Sequence, residues 1–165
     1  MGTIKFKGNE VHTVGELPTL GAQAKDFKLV ATDLQERSLQ DFEGKKVIFN
    51  IFPSIDTGVC ATSVRKFNEK ANALSGVAVV NVSKDLPFAM NRFCAAEGLE
   101  NVQNLSDFRG NFGIDYGVTL TDSPLQGLLS RAVVVLDEAG KVIYTQQVPD
   151  ITQEPDYDAA LQAVQ

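Results

Sequence analysis

The sequence predicts an α/β fold: a central mixed β-sheet flanked by helices, with a β-hairpin at the N-terminus. Three observations carry this. Val47 to Phe52 and Val77 to Val82 are predominantly apolar, β-branched runs of strand length, the pattern of strands buried on both faces. Between them Val64, Phe67, Ala71 and Leu74 recur at spacings of three and four, which puts them on one face of a helix ending near Gly76. Strand, helix, strand in that order implies a right-handed parallel crossover, and two further strand patterns around a tight turn near Gly140 add antiparallel members to the layered architecture.

Bulk properties set the limits. The 165 residues are 44% apolar and hold no long low-complexity tract, which fits a single domain over residues 1–165 with a full core. A formal net charge of −6 argues against a nucleic-acid or anionic-membrane partner and is silent on substrate. No apolar stretch approaches the roughly 20 residues that cross a bilayer. The N-terminus Met1 to Lys7 lacks the apolar core of a signal peptide, so a cytoplasmic location is expected. Met1-Gly2 opens as a myristoylation site does, but the alternating pattern around Glu10 reads as structure.

In chain order, Thr3–Lys7 and Glu10–Thr13 flank Gly8-Asn9, a two-residue turn that closes a hairpin. Lys28–Ala31 reads as a short strand and Ser38–Phe42 as a turn or short helix. Asp85 is placed to cap a helix with Pro87 in its first turn, running to about Gly98 and carrying Cys94. Phe112 and Tyr116 fall on a short helix within Phe108–Val118, and Thr119–Leu129 is a loop rich in Gly, Pro and Asp. Arg131 opens the strand Ala132–Leu136, residues 137–140 turn, and Lys141–Val148 returns antiparallel. Tyr157, Ala160, Leu161 and Val164 mark an amphipathic C-terminal helix.

Chemistry concentrates where the first apolar strand breaks at Pro53 and a helical pattern begins near Cys60. A cysteine in the first turn of a helix meets unpaired N–H groups and the positive end of the helix dipole, which favour an anion and so a nucleophilic sulfur. Pro53, Thr57 and Cys60 spell P-x-x-x-T-x-x-C. Around a nucleophilic thiolate each type has a use. The thiolate attacks, the Thr57 hydroxyl donates and accepts, and Pro53 walls the pocket without offering an N–H of its own. Singly, the same residues read as a helix cap and a small buried cysteine.

Cys94, the one other thiol, stands thirty-four residues on. Two cysteines and the single histidine, His12, cannot close a four-ligand zinc site, and there is no C-x-x-C pair. No Gly-rich strand-to-helix turn marks a flavin or nucleotide site, so no cofactor is expected. A cysteine-protease dyad of Cys60 with His12 would need a base from the appended ribbon. The residues leave two readings of the pair open: unrelated core cysteines, or a nucleophile and a partner that condenses with its sulfenic acid.

PSIDTGVC with the following ATSVRKFN resembles the peroxidatic site of peroxiredoxins, and within them the bacterial thiol peroxidase subfamily of atypical two-cysteine peroxiredoxins. SKDLPFAMNRFCAAEG, residues 83–98, resembles the resolving-cysteine segment, and Ser130-Arg131-Ala132-Val133-Val134 the place where the family keeps an arginine facing the thiolate. The likeness spans nearly the whole chain, with Lys25 standing where many peroxiredoxins have proline. It implies a thioredoxin-like sandwich, in agreement with the element order. It also implies Cys60 as peroxidatic and Cys94 as resolving cysteine in an intramolecular disulfide. Pro53, Thr57 and Arg131 are implied around the thiolate, hydroperoxides as substrates, thioredoxin as reductant and a homodimer, with residues 108–129 near the dimer face and substrate pocket. The rival from another class is a redox-switched binding protein in which the same disulfide toggles a surface.

Overall fold

The computed structural model describes residues 2–165. Its centre is a seven-stranded sheet in the spatial order β4-β3-β7-β6-β5-β8-β9, formed by β3 (Leu29–Ala31), β4 (Glu36–Arg37), β5 (Lys46–Ile51), β6 (Val77–Ser83), β7 (Gln103–Ser106), β8 (Ala132–Leu136) and β9 (Val142–Gln147). β5, β6 and β7 run parallel, while β8, β9, β3 and β4 join antiparallel, so the sheet is mixed.

The two-residue period of β5 explains the layering. Val47, Phe49 and Ile51 point into one core with Phe27, Leu105, Phe112 and Tyr116, whereas Ile48 points into the other with Cys60, Val64, Phe67, Met90, Cys94 and Ala160. The second core lies under three helices, α1 (Gly58–Ala71), α2 (Pro87–Glu97) and α4 (Tyr157–Ala163). The first is closed by a 3₁₀ turn at Leu39–Phe42 and by α3 (Phe112–Asp115), where Phe112 and Tyr116 stack at 4.1 Å. The Tyr116 hydroxyl donates to the Lys25 carbonyl at 2.8 Å. Position 25 thus serves through its backbone while its side chain is exposed, so a lysine in place of proline leaves this contact intact.

The hairpin of β1 (Gly2–Phe6) and β2 (Asn9–Thr13) forms a separate ribbon, with its turn at Lys7-Gly8 rather than Gly8-Asn9. Both turn residues have positive φ, 52° and 83°, as a type I′ turn requires. The cause is tertiary. The Asp150 carboxylate accepts from the N–H groups of Lys7 and Gly8 at 3.3 and 3.0 Å, and these bonds hold Asp150 down to a pKa of about 2, with Thr152 contributing most. Ile4 and Val11 of the ribbon pack on Leu120 and Ile151.

Two helix boundaries also differ from the sequence reading. α1 ends at Ala71, with Asn72 as C-cap, although Leu74 still packs on the same core. α2 begins at Pro87 with Leu86 as N-cap and no side-chain cap, so Asp85 is not the capping residue. Its C-terminus is as expected: Gly98 adopts the left-handed conformation, φ 68°, that a residue without Cβ takes freely. β7 and the short β4 have no counterpart in the sequence reading.

Candidate active site

β5 delivers the chain to Phe52 and Pro53, both buried, and the loop 54–57 turns it into α1, whose third residue is Cys60. The thiol therefore sits among the unpaired N–H groups of the helix start, as the spacing implied. It is completely buried. β8 pairs antiparallel with β5 in the register Ile51↔Ala132, which brings Arg131, just before β8, beside the end of β5. Arg131 is 2% exposed; its Nη2 donates to Cys60 Sγ at 2.9 Å and its Nε to the Ile151 carbonyl at 2.7 Å. Nη1 has no protein partner among the described residues. No carboxylate lies within ion-pair distance of the guanidinium among the described residues.

Beside Arg131 opens an apolar cavity of about 280 Å³, which Cys60 itself does not line. Pro53, Thr57 and Arg131 line it together, with Phe6 from the hairpin and Leu125 and Leu128 from the 119–129 loop. Thr57 is the N-cap of α1 by backbone position, but its hydroxyl donates to the Ser54 carbonyl at 3.0 Å rather than capping the helix, which leaves the oxygen free to accept a hydrogen bond. The structure thus groups Pro53, Thr57, Cys60 and Arg131.

Cys94 is set apart in α2, within the same core layer as Cys60 and 6% exposed. Both thiols are free. Burial pushes the Cys94 thiol above its ordinary range, partly opposed by Asn104, whose Nδ2 donates to Cys94 Sγ at 3.1 Å. His12, by contrast, is held in the ribbon by the Asp122 and Glu10 carboxylates at 2.6 and 3.1 Å.

Asp85 is the residue of this region that sequence reasoning misassigned. Its carboxylate accepts from Ile55 N–H at 2.7 Å, Ser54 Oγ at 2.8 Å and Ser83 Oγ at 2.6 Å, so it fastens the loop that leads into Cys60. Its own carbonyl accepts from Ser106 Oγ at the end of β7. The signal in the sequence was an acidic residue before Leu-Pro, which is ambiguous between a cap and a tertiary anchor.

A thiol kept from water against a guanidinium is the working arrangement of a cysteine-dependent redox protein, and comparison with known proteins narrows the class. The family model described as Redoxin matches residues 19–161. Thiol peroxidases from Corynebacterium glutamicum and Mycobacterium tuberculosis are 58% and 57% identical over 164 residues, covering 99% of this chain and 99% of each of theirs. A crystal structure of a peroxiredoxin-like protein from Aquifex aeolicus, 41% identical, superimposes with a TM-score of 0.90 over 98% of this chain and 95% of that one. A thiol peroxidase from Chromobacterium violaceum, at 22% identity, gives the same TM-score of 0.90 over the same 98% and 95%, which speaks to the thioredoxin-like fold alone. The chain belongs to the Redoxin family, among its peroxiredoxin-type thiol peroxidases.

Proposed function

We propose that Cys60 is the nucleophile of this peroxidase, that Cys94 resolves its oxidised form, and that residues 1–165 act as one domain. The Cys60 thiolate attacks the terminal oxygen of a hydroperoxide, the O–O bond breaks, and the departing oxygen takes a proton to leave as water or an alcohol. Cys60 is then a sulfenic acid. The Cys94 thiolate attacks its sulfur, hydroxide leaves as water, and a Cys60–Cys94 disulfide results. A dithiol protein of the thioredoxin kind supplies the two electrons that restore both thiols.

The observation that carries this reading is the 2.9 Å contact between two fully buried groups, Arg131 and Cys60. A buried cation without a carboxylate partner is stable when its neighbour carries the counter-charge, and the neighbour here is sulfur. Nη1, unpartnered within the protein, is the donor positioned to stabilise the charge that grows on the leaving oxygen. Pro53 excludes water, and the Thr57 hydroxyl accepts from the incoming peroxide. The apolar cavity favours an organic hydroperoxide.

Exposed Leu86, Phe88 and Phe108 support a homodimer interface, since Phe88 is 65% exposed where α2 begins. No helix of the described residues is long and apolar enough to cross a membrane, and two free cysteines that need a dithiol reductant suit a cytoplasmic setting.

The test is turnover with a thioredoxin system, comparing hydrogen peroxide with cumene hydroperoxide. Many equivalents consumed per protein, with none in Cys60→Ser, is the expected result. A single equivalent would indicate a redox switch, and turnover by Cys60→Ser would remove Cys60 from its role.

A further inference from the structure

Asn50, Asn81 and Asn104 lie side by side on the three adjacent parallel strands, in register as Asn50↔Asn81 and Asn81↔Asn104. Their side chains form one continuous chain of hydrogen bonds. Ser63 Oγ donates to the Cys60 carbonyl at 2.7 Å, and Asn50 Nδ2 donates to Ser63 Oγ at 3.2 Å and to Asn81 Oδ1 at 3.1 Å. Asn81 Nδ2 then donates to Asn104 Oδ1 at 3.0 Å, and Asn104 Nδ2 to Cys94 Sγ at 3.1 Å. The backbone of one cysteine is thereby linked through the sheet to the sulfur of the other.

Every member is buried: Ser63, Asn50 and Asn81 are 0% exposed and Asn104 is 9%. Packing alone does not select three adjacent amides in the helix-facing layer of the sheet, because each buried polar group must be matched. The matching is incomplete in one place, Asn50 Oδ1, which has no partner. The chain is therefore held by donors running outward from Asn50 in both directions, and its two ends are the first turn of α1 and Cys94.

We propose that Asn50, Asn81 and Asn104 are positioning residues that keep Cys94 covered while Cys60 is reduced and release it when the first turn of α1 opens. This rests on the reading of Cys94 as the resolving cysteine. Both thiols are buried, unbonded and in different helices, so a disulfide between them requires movement. When the turn around Cys60 unwinds, its carbonyl leaves Ser63, the hydroxyl loses its acceptor, and the cooperative chain behind it weakens as far as the bond on Cys94. While the chain is intact Cys94 remains a covered thiol. Once free it meets water, ionises more readily and attacks the sulfenic sulfur.

The experiment uses full-length reduced protein and two readouts. The first is the rate of Cys94 alkylation by iodoacetamide in a Cys60→Ser background. The second, with Cys60 present, is the rate of disulfide formation after one equivalent of peroxide, beside the second-order rate of Cys60 oxidation. Asn104→Leu, which removes the bond to sulfur, speeds Cys94 alkylation and disulfide formation about fivefold, the weight of one net hydrogen bond. Ser63→Ala, at the far end of the chain, removes one hydroxyl and speeds both in the same direction by about twofold or more. The double variant falls short of the product of the two, and Cys60 oxidation stays within twofold throughout.

The proposal is overturned if Ser63→Ala leaves Cys94 alkylation unchanged, if the two effects multiply independently, or if the acceleration merely follows an equal loss of global stability in urea. Failure of the resolving role looks different. In that case Cys94→Ser recycles normally and wild-type protein forms no disulfide, while the alkylation rates still judge the asparagine chain.

Discussion

Arg131 contacts the Cys60 sulfur while Asp85 fastens the loop that precedes it, and substitution separates the two. Arg131→Met keeps an unbranched stem but removes the guanidinium, with its five donors and its charge. Loss of one donor to a developing oxyanion costs about 10²–10³ in rate, so peroxide reduction slows by at least about a hundredfold. The deficit persists at the alkaline plateau, where ionisation no longer limits; if the two pH profiles converge there, Arg131 only sustains the thiolate. Asp85→Asn preserves shape, yet an amide nitrogen cannot accept, so at least one of the bonds from Ile55, Ser54 and Ser83 is lost. Loss of one charge-assisted bond costs about 2 kcal/mol of stability, read as a lower urea midpoint. The loop before Cys60 loosens with it, and peroxide reduction falls about tenfold while Arg131 still contacts the sulfur. An unchanged rate would leave Asp85 a purely structural anchor. Pro53, Thr57 and Cys60 were legible through their spacing, whereas Arg131, by itself an ordinary strand-end charge, was expected near the thiol only from the likeness of residues 130–134 to the family segment. Asp85 was not legible, since the partners that define it lie thirty residues away in the sequence and two residues away at once.

At the scale of elements, tertiary contacts overrode local pattern in identifiable places. β7 reads Gln-Asn-Leu-Ser, too polar for a buried strand by composition, because Asn104 faces the asparagine chain and Ser106 bonds Asp85. The hairpin turn shifted by one residue because Asp150 captures the Lys7 and Gly8 amides, a pairing 143 and 142 residues apart that no window of sequence contains. β5, β6, β8 and β9, with strong apolar runs or clear turn signals, were read within one residue or so at each end. The ribbon also carries a pH-dependent tether. The Asp122 carboxylate raises His12 above its ordinary value and is itself lowered by the ring, so each half of the pair is stabilising only while charged. The His12 contribution is fully present below about pH 6.5 and is lost as pH rises through its raised value; the Asp122 contribution is lost as pH falls below about 4. Amide exchange at Val11, Thr13 and Thr121, corrected for intrinsic rates, is therefore more protected at pH 5.5 than at pH 8.5. His12→Gln flattens that difference; a wild-type ribbon equally protected at both values shows that the pair does not hold it.

Across the whole molecule the sheet is the most deeply buried part, and the two cysteines lie in the helices packed on it. β5, β6 and β8 bury Ile48, Phe49, Val80, Val133 and Val135 completely, and their ladders link the central strands in unbroken register. The first turn of α1 has no side-chain cap, so the segment bearing Cys60 opens at lower cost than the layer beneath, whereas Cys94 lies in the last turns of α2, close to its Gly98 cap. A disulfide between two buried cysteines in separate helices needs Cα atoms closer than about 7 Å, which intact helices on one sheet face do not readily supply. Oxidation of wild-type protein therefore increases amide exchange in residues 57–62 and across the Cys94 turn of α2 while leaving β5, β6 and β8 protected. Cys94→Ser breaks the sequence of events at its middle. It consumes about one equivalent of peroxide, is not recycled by thioredoxin, and keeps the exchange pattern of the reduced wild type, because no disulfide forms to hold the α1 turn open. Identical exchange in reduced and oxidised wild-type protein would mean that the disulfide forms without opening either helix, and the separation of protected sheet from yielding helical turns would not describe how this molecule turns over.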